Sequence, residues 1–128
     1  KNLKNINNLK KLMVFSFFAG EAISYGMVGL VHPFSAALSS VFRLPHCLSN
    51  CLIFRGLKEY YKKEYKFLFF CLNKQNITIE YKIKMNKNIF AKLYNSSMQH
   101  QKPIQNHLGI NYKNILTLDN VSKIFNKI

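Results

Sequence analysis

Hydrophobic residues are grouped along this 128-residue chain in stretches that are separated by proline, glycine and polar residues. Residues 9–26 are apolar on most faces, and this pattern predicts a buried helix. Two prolines follow, and proline is best tolerated in the first turn of a helix. Pro33 and Pro45 therefore predict new helices over residues 33–40 and 45–60.

The second half of the chain also has mainly helical spacing, which predicts helices over residues 59–72 and 88–98. Residues 77–83 alternate between apolar and polar positions as a strand does. No second strand pattern is available to pair with them, so an extended loop is predicted. Residues 99–114 are also predicted to be a loop, and Thr117 is expected to cap a final helix. The apolar stripe of that helix consists of Val121, Ile124, Phe125 and Ile128.

These elements predict an all-α fold in which residues 1–128 form a single domain. Lys and Arg number 19 against 5 Asp and Glu, a formal net charge of +14, and such an excess can mark a protein that binds nucleic acid. Only Arg43 and Arg55 are arginines, however, and arginine makes the bidentate contacts to bases and phosphates. Nucleic acid is therefore not an expected partner. The three cysteines form no even-numbered disulfide framework, which indicates a reduced, cytoplasmic chain.

An alternative interpretation is a small basic protein that is anchored in a membrane by a helix over residues 12–31. The segment has roughly the 20 residues needed to span a bilayer, and basic residues precede it. Glu21 lies near its centre, where an acidic side chain costs about 2.5–3.5 kcal/mol on insertion scales. Packing between the helices of an all-helical protein explains the same apolar pattern, so a membrane is not an expected partner either.

Two histidines carry the candidate chemistry. His32 and His46 are fourteen residues apart, and imidazole is the commonest ligand for ions such as zinc and iron. One unbroken helix would separate them by ~21 Å, which is too far for a shared ion. A short helix advances only about 12 Å, and five extended residues recover up to about 16 Å. A break between two helices therefore allows both imidazoles to reach one metal, although two histidines at this spacing are more often structural.

Residues 28–39 and 45–51 resemble the metal-binding signature of the iron-containing (group III) alcohol dehydrogenases. In that signature, a Gly-x-x-His stretch is followed fourteen residues later by the histidine of a Pro-His pair, as at His32 and His46. The 3-deoxy-α-D-manno-octulosonate 8-oxidase-like branch is the most similar. Further collinear resemblance covers nearly the whole chain and includes residues 59–65, 102–109 and 115–125.

This resemblance implies the helical, metal-binding C-terminal domain of a dehydroquinate synthase-like fold, with His32 and His46 as ligands of a divalent iron or zinc ion. It implies an oxidoreductase that oxidises a small-molecule alcohol, such as the primary alcohol of a sugar acid, with NAD(P) as hydride acceptor. Ala36 stands where many family members have another histidine, and Cys47 stands where glycine is common. Cys47 and Cys51 could also serve as thiolate ligands, but helix packing explains them better.

The resemblance also predicts that the chain is only part of an enzyme. The sequence has no glycine-rich phosphate loop and no alternation of strands and helices, which are the signs of a nucleotide-binding domain. The family supplies an Asp and a further His from an upstream helix, and neither is identified here. We therefore expect a fragment that is inactive alone, holds no catalytic or NAD(P)-binding residue, and acts with an N-terminal half that is either lost or separately encoded. His100 and His107 are expected to be solvent-exposed in the predicted loop.

Overall fold

The computed structural model describes residues 4–79, 81 and 84–128 of the protein. These residues form eight helices and no strand, so the all-α class predicted from the sequence is confirmed for this part of the chain. The helices are α1 (Ile6–Tyr25), α2 (Val31–Phe42), α3 (His46–Gly56), α4 (Lys62–Lys74), α5 (Lys87–Met98), α6 (Gln101–Leu108), α7 (Tyr112–Ile115) and α8 (Leu118–Phe125).

The core lies where α2, α3, α5 and α8 meet, and α2 contacts both α3 and α5. Phe34 and Leu38 of α2 are fully buried, and the ring of Phe34 meets the ring of Phe125 edge-on at a centroid distance of 5.8 Å. Such an aromatic pair contributes about 0.5–1.5 kcal/mol beyond the area it buries. The central position of α2 places its first turn, and with it His32, against the packed core. The other buried apolar residues are Leu30, Ala37, Leu52, Ile53, Leu57, Leu93, Ile104, Tyr112, Leu116, Val121 and Ile124.

Polar side chains cap the N-termini of three helices by accepting hydrogen bonds from free backbone N–H groups. Asn5 accepts from Asn7 at the start of α1, and Asn86 accepts from Ile89 at the start of α5, both at 2.9 Å. Thr117 accepts from the backbone of Asn120 at 3.3 Å. The predicted cap of the last helix is therefore confirmed, as is the burial of three members of its apolar stripe.

Helix α1 departs from its prediction as a buried helix. None of its 20 residues is buried against the rest of the described chain, and Phe15, Phe17 and Phe18 are 72%, 65% and 65% exposed. No described helix packs extensively against it. The prediction was wrong because apolar residues on a helix show what it can bury, whereas burial itself requires a neighbouring surface.

The helix over residues 12–31 that a membrane anchor would need is not formed either. Helix α1 ends at Tyr25, and the backbone between the two helices is irregular until α2 begins at Val31. Within residues 4–79, 81 and 84–128, no helix is both long enough and apolar enough to cross a bilayer.

The prediction of a loop over residues 99–114 is wrong, because the segment contains α6 and most of α7. Pro103 is compatible with α6 because it occupies the first turn, where no backbone N–H is needed from it. Gly109 ends α6 with a φ of 79°, a left-handed conformation that favours glycine.

The remaining elements follow their predictions within a few residues. Helix α5 begins one residue before the predicted segment 88–98. The predicted segments 45–60 and 59–72 overlap, whereas the helices α3 and α4 are separated by a turn. Residues 77–79 and 81 are irregular, as an extended loop requires. Residues 80, 82 and 83 of that predicted loop lie outside the described residues.

Candidate metal centre

The structure brings the two predicted ligands together. His32 lies in the first turn of α2 and His46 is the first residue of α3, and their ring centroids are 5.9 Å apart with the ring planes at 76°. From His32 to the end of α2 the helix advances about 15 Å, and the next four residues can return about 13 Å. Arg43 makes the reversal with a left-handed φ of 53°.

Small polar residues hold α3 close against α2. The hydroxyl of Ser39 in α2 donates to the hydroxyl of Ser49 in α3 at 2.9 Å, and Ser49 is fully buried. The hydroxyl of Ser35 donates to the backbone carbonyl of His32 at 3.1 Å. Because serine is small and its hydroxyl finds a partner, the two helices approach closely without an unsatisfied polar group. This packing sets the position of His46 relative to His32.

A third histidine lies beside this pair. His100 is half-buried at the start of α6, and its ring centroid is 5.7 Å from that of His32. The expectation that His100 is solvent-exposed in a loop was therefore wrong. Pro103 is the signal that could have predicted a helix beginning next to His100, because proline is favoured in the first turn of a helix. His107 is exposed as expected, but it lies on α6, with its ring 5.1 Å from that of Tyr61.

The histidine pair lines an open cavity of about 380 Å³, a size in the range of small-molecule sites. Its polar groups are His32, His46, Asn50 and Cys51. The remaining wall is apolar apart from backbone, so a few polar groups converge within a largely apolar surface. That wall is formed by Ile23, Val28, Gly29, Val31, Phe54 and Leu68.

Burial and the neighbouring imidazoles favour the neutral form of His32. Burial, with smaller contributions from His100 and His46, lowers its pKa below the ordinary value, and a metal binds only the neutral ring. Because the pKa is lower in the folded than in the unfolded chain, His32 stabilises the fold above its unfolded pKa. That contribution is lost as the pH falls through the folded pKa.

The two cysteines near His46 are poor candidates for thiolate ligands. Burial, and then the nearby Cys47, raises the pKa of Cys51 above its ordinary value, so its thiol stays protonated. Cys47 is exposed. Within the described part of the chain, no group of three His, Cys, Asp or Glu side chains is arranged to hold a metal ion. The site therefore consists of His32 with the rings of His46 and His100 at centroid distances of 5.9 and 5.7 Å from its own.

Tyr61 connects the loop before α2 to the rest of the site. Its hydroxyl accepts a hydrogen bond from the backbone N–H of Leu30 at 2.9 Å, and its ring stacks on Phe54 at 5.4 Å. A Cβ on Gly29 would lie 2.8 Å from this hydroxyl, so glycine leaves room for the approach. Burial raises the pKa of Tyr61 above its ordinary value. Tyr61 thus stays neutral and holds the backbone two residues before His32.

Substituting Tyr61→Phe is expected to lower the free energy of unfolding by about 1–3 kcal/mol, because the N–H of the buried Leu30 loses its partner. Urea denaturation followed by circular dichroism measures the change. Tyr65→Phe is the matched control, since Tyr65 packs on Phe54 through its ring, which the variant retains. Equal stability of the two variants would show that the bond to Leu30 contributes nothing.

A comparison with models of known protein families gives no match to this chain.

Proposed function

We propose that this chain is the metal-binding helical part of an iron-containing alcohol dehydrogenase that oxidises a primary alcohol of a sugar acid or a similar compound. The observation that carries the proposal is the approach of His32 and His46 to 5.9 Å at the wall of a cavity. Their spacing is the feature that resembles the family signature. Imidazoles are donors that suit divalent iron or zinc.

The distance between the rings fits a shared ion. With metal–nitrogen bonds of about 2.1 Å, two imidazoles on a tetrahedral ion have ring centroids about 5 Å apart. The observed separation of 5.9 Å exceeds this by less than an ångström, which rotation of the two side chains can supply. His32 and His46 would therefore hold the ion from α2 and α3. A bound divalent ion supplies Lewis acidity, which lowers the pKa of a substrate hydroxyl group.

The other residues of the cavity bind and orient the substrate in this proposal. Ile23 and Phe54 give an apolar wall that limits access of water to the alcohol carbon. A second cavity of about 430 Å³ shares Ile23 and Val28 with the first and is lined by Lys102. The ammonium group of Lys102 is a counter-charge for the carboxylate of a sugar acid, which would extend from the first cavity into the second.

Hydride transfer requires a nucleotide-binding part, which this sequence does not contain. That part either belongs to the same polypeptide or is separately encoded. The exposed apolar side chains of α1 supply a surface for it, and Ile23 of α1 also lines the histidine cavity. A part that covers α1 therefore reaches the site. We expect the 128-residue chain alone to be inactive with NAD(P), and alcohol oxidation by the isolated chain would contradict this part of the proposal.

Metal binding by the chain tests the assignment of the ligands. The substitutions His32→Ala and His46→Ala are each expected to weaken binding of Zn²⁺ by at least about tenfold, because each removes a direct ligand. Isothermal titration calorimetry at neutral pH measures the affinity. His107→Ala is the matched control, since it removes an exposed imidazole on α6. Unchanged affinity in both site variants would refute the metal site.

A further inference from the structure

A cavity of about 280 Å³ is lined by Arg55, Lys58, Tyr65 and Lys127, and we call it the basic cavity. It shares no lining residue with the histidine cavity. Arg55 is half-buried in the last turn of α3, whereas Lys58 and Lys127 are exposed just beyond the ends of α3 and α8. Three of the four lining residues are therefore cations, and they come from two helix ends that are distant in sequence.

The contact between α3 and α8 brings these cations together. A Cβ at Gly56, the residue after Arg55, would lie 2.6 Å from the backbone oxygen of Ile124, so the ends of the two helices touch. Gly56 and Ile124 are both buried. Lys127 follows Ile124 closely, and its backbone N–H donates to the carbonyl of Ile124 at 3.3 Å. The packing of the core thus places Arg55 and Lys127 around the same cavity.

A third helix adds a neutral donor to the basic cavity. Tyr65 lies on α4 and is half-buried. Its ring stacks on that of Phe54 at a centroid distance of 6.4 Å, with the ring planes at 21°, and lies 4.3 Å from the ring of Phe69. These two contacts hold the ring beside α3, next to Arg55 in the sequence of that helix. A phenol hydroxyl can donate one hydrogen bond to an anion.

The positive charge of the basic cavity exceeds the negative charge around it. None of the acidic residues that the structure describes lines the cavity. The C-termini of α3 and α8 lie nearby, and each is equivalent to roughly half a negative charge. Three cationic side chains therefore leave an excess of roughly two positive charges. A phosphate monoester carries about −1.5 to −2 charges at neutral pH, so a phosphate group is the anion that balances this excess.

We propose that the basic cavity binds a phosphate group, either as the free ion or as the phosphate of a small molecule. The guanidinium of Arg55 presents a rigid fork of donors that matches two phosphate oxygens. Lys58 and Lys127 add compact charges on flexible stems, which adapt to the remaining oxygens. The volume of about 280 Å³ is at the lower limit for small-molecule sites, so it suits a phosphate group rather than a whole nucleotide. This site is independent of the histidine pair.

Isothermal titration calorimetry of the full chain with inorganic phosphate tests the proposal, at neutral pH and at an ionic strength held constant with NaCl. Arg55→Gln is expected to weaken binding by at least about tenfold, because it removes charge-assisted hydrogen bonds. Lys127→Gln should weaken binding by about threefold, since it removes one exposed charge. Lys92→Gln is the matched control, because it removes the same charge from an exposed position on α5 outside the cavity. Far-ultraviolet circular dichroism verifies that each variant keeps its helices.

Weaker binding in Arg55→Gln and Lys127→Gln beside an unchanged Lys92→Gln supports the phosphate site. Equal losses in Arg55→Gln and Lys92→Gln would overturn it, because phosphate would then respond to the net charge of +14 and not to the cavity. Wild type that shows no saturable binding of phosphate also overturns it.

Two further ligands define what the basic cavity recognises. Acetate carries a single charge on a planar group, and if it displaces phosphate at equal concentration, the cavity selects negative charge alone and the phosphate site is refuted. Glycerol 3-phosphate distinguishes the two sources of a phosphate group. Tighter binding than that of inorganic phosphate supports a phosphate ester as the ligand, and equal or weaker binding supports the free ion.

Discussion

Replacing Phe34 with alanine is expected to lower the free energy of unfolding by about 3–5 kcal/mol. Phe34 is fully buried in the core, and the centroid of its ring lies 5.8 Å from that of Phe125. Truncation removes this contact and leaves a cavity between α2 and α8 that the surrounding helices can only partly fill. Stabilities of small domains are typically about 5–15 kcal/mol, so the loss is a large share of the total.

Urea denaturation followed by circular dichroism measures the change, with Phe67→Ala as the matched control. Phe67 lies on α4 and is 71% exposed, so the same truncation there should change stability by about 0.5 kcal/mol or less. If both variants lose the same stability, Phe34 is not at the centre of the core.

Substituting Gly56→Ala is expected to lower the free energy of unfolding by about 1–3 kcal/mol. Alanine normally stabilises a helix by up to about 1 kcal/mol relative to glycine. The sign of the change in the free energy of unfolding therefore depends on the space available to the added Cβ. A Cβ at Gly56 would lie 2.6 Å from the backbone oxygen of Ile124 and 3.1 Å from its side chain. Backbone of α8 must move to admit it, and that displacement outweighs the gain in helix propensity at the last residue of α3.

Gly20→Ala provides the opposite expectation in the same chain. No atom lies within 4 Å of a Cβ at Gly20, which is inside α1, so helix propensity alone should decide and favour alanine by about 1 kcal/mol. Helical content measured by circular dichroism should be equal or higher in Gly20→Ala, and stability in urea should be lower in Gly56→Ala. A stabilised Gly56→Ala would show that α3 and α8 are not in close contact at this point.

Local signals were sufficient for several elements. Helix α5 follows from apolar spacing, and α8 follows from the Thr117 cap and the stripe of Val121, Ile124 and Phe125, because these features act over one or two turns. The prolines at 33 and 45 also place the starts of α2 and α3 within about two residues. Between these starts, the left-handed turn at Arg43 was not recognisable, since arginine rarely adopts that conformation.

Other predictions failed because they depended on more than local pattern. The polar composition of residues 99–114 indicated a loop, yet Ile104 and Tyr112 are buried and the segment contains α6 and most of α7. Single apolar residues anchor those short helices, and a single residue produces no periodicity. In α1 the opposite occurred: strong apolar character predicted burial, but no described helix covers it.

The sequence by itself determined the residue types of the candidate site, the approximate starts of α2 and α3, and the spacing of His32 and His46. A helix break between two histidines permits their approach, and the rise of a helix and the reach of an extended chain are enough to predict this. Only the tertiary structure decided that His100 stands beside His32, because that neighbourhood depends on how α2 packs relative to the α5–α6 segment. Contacts between residues far apart in sequence are set by packing, and no periodicity along the chain encodes them.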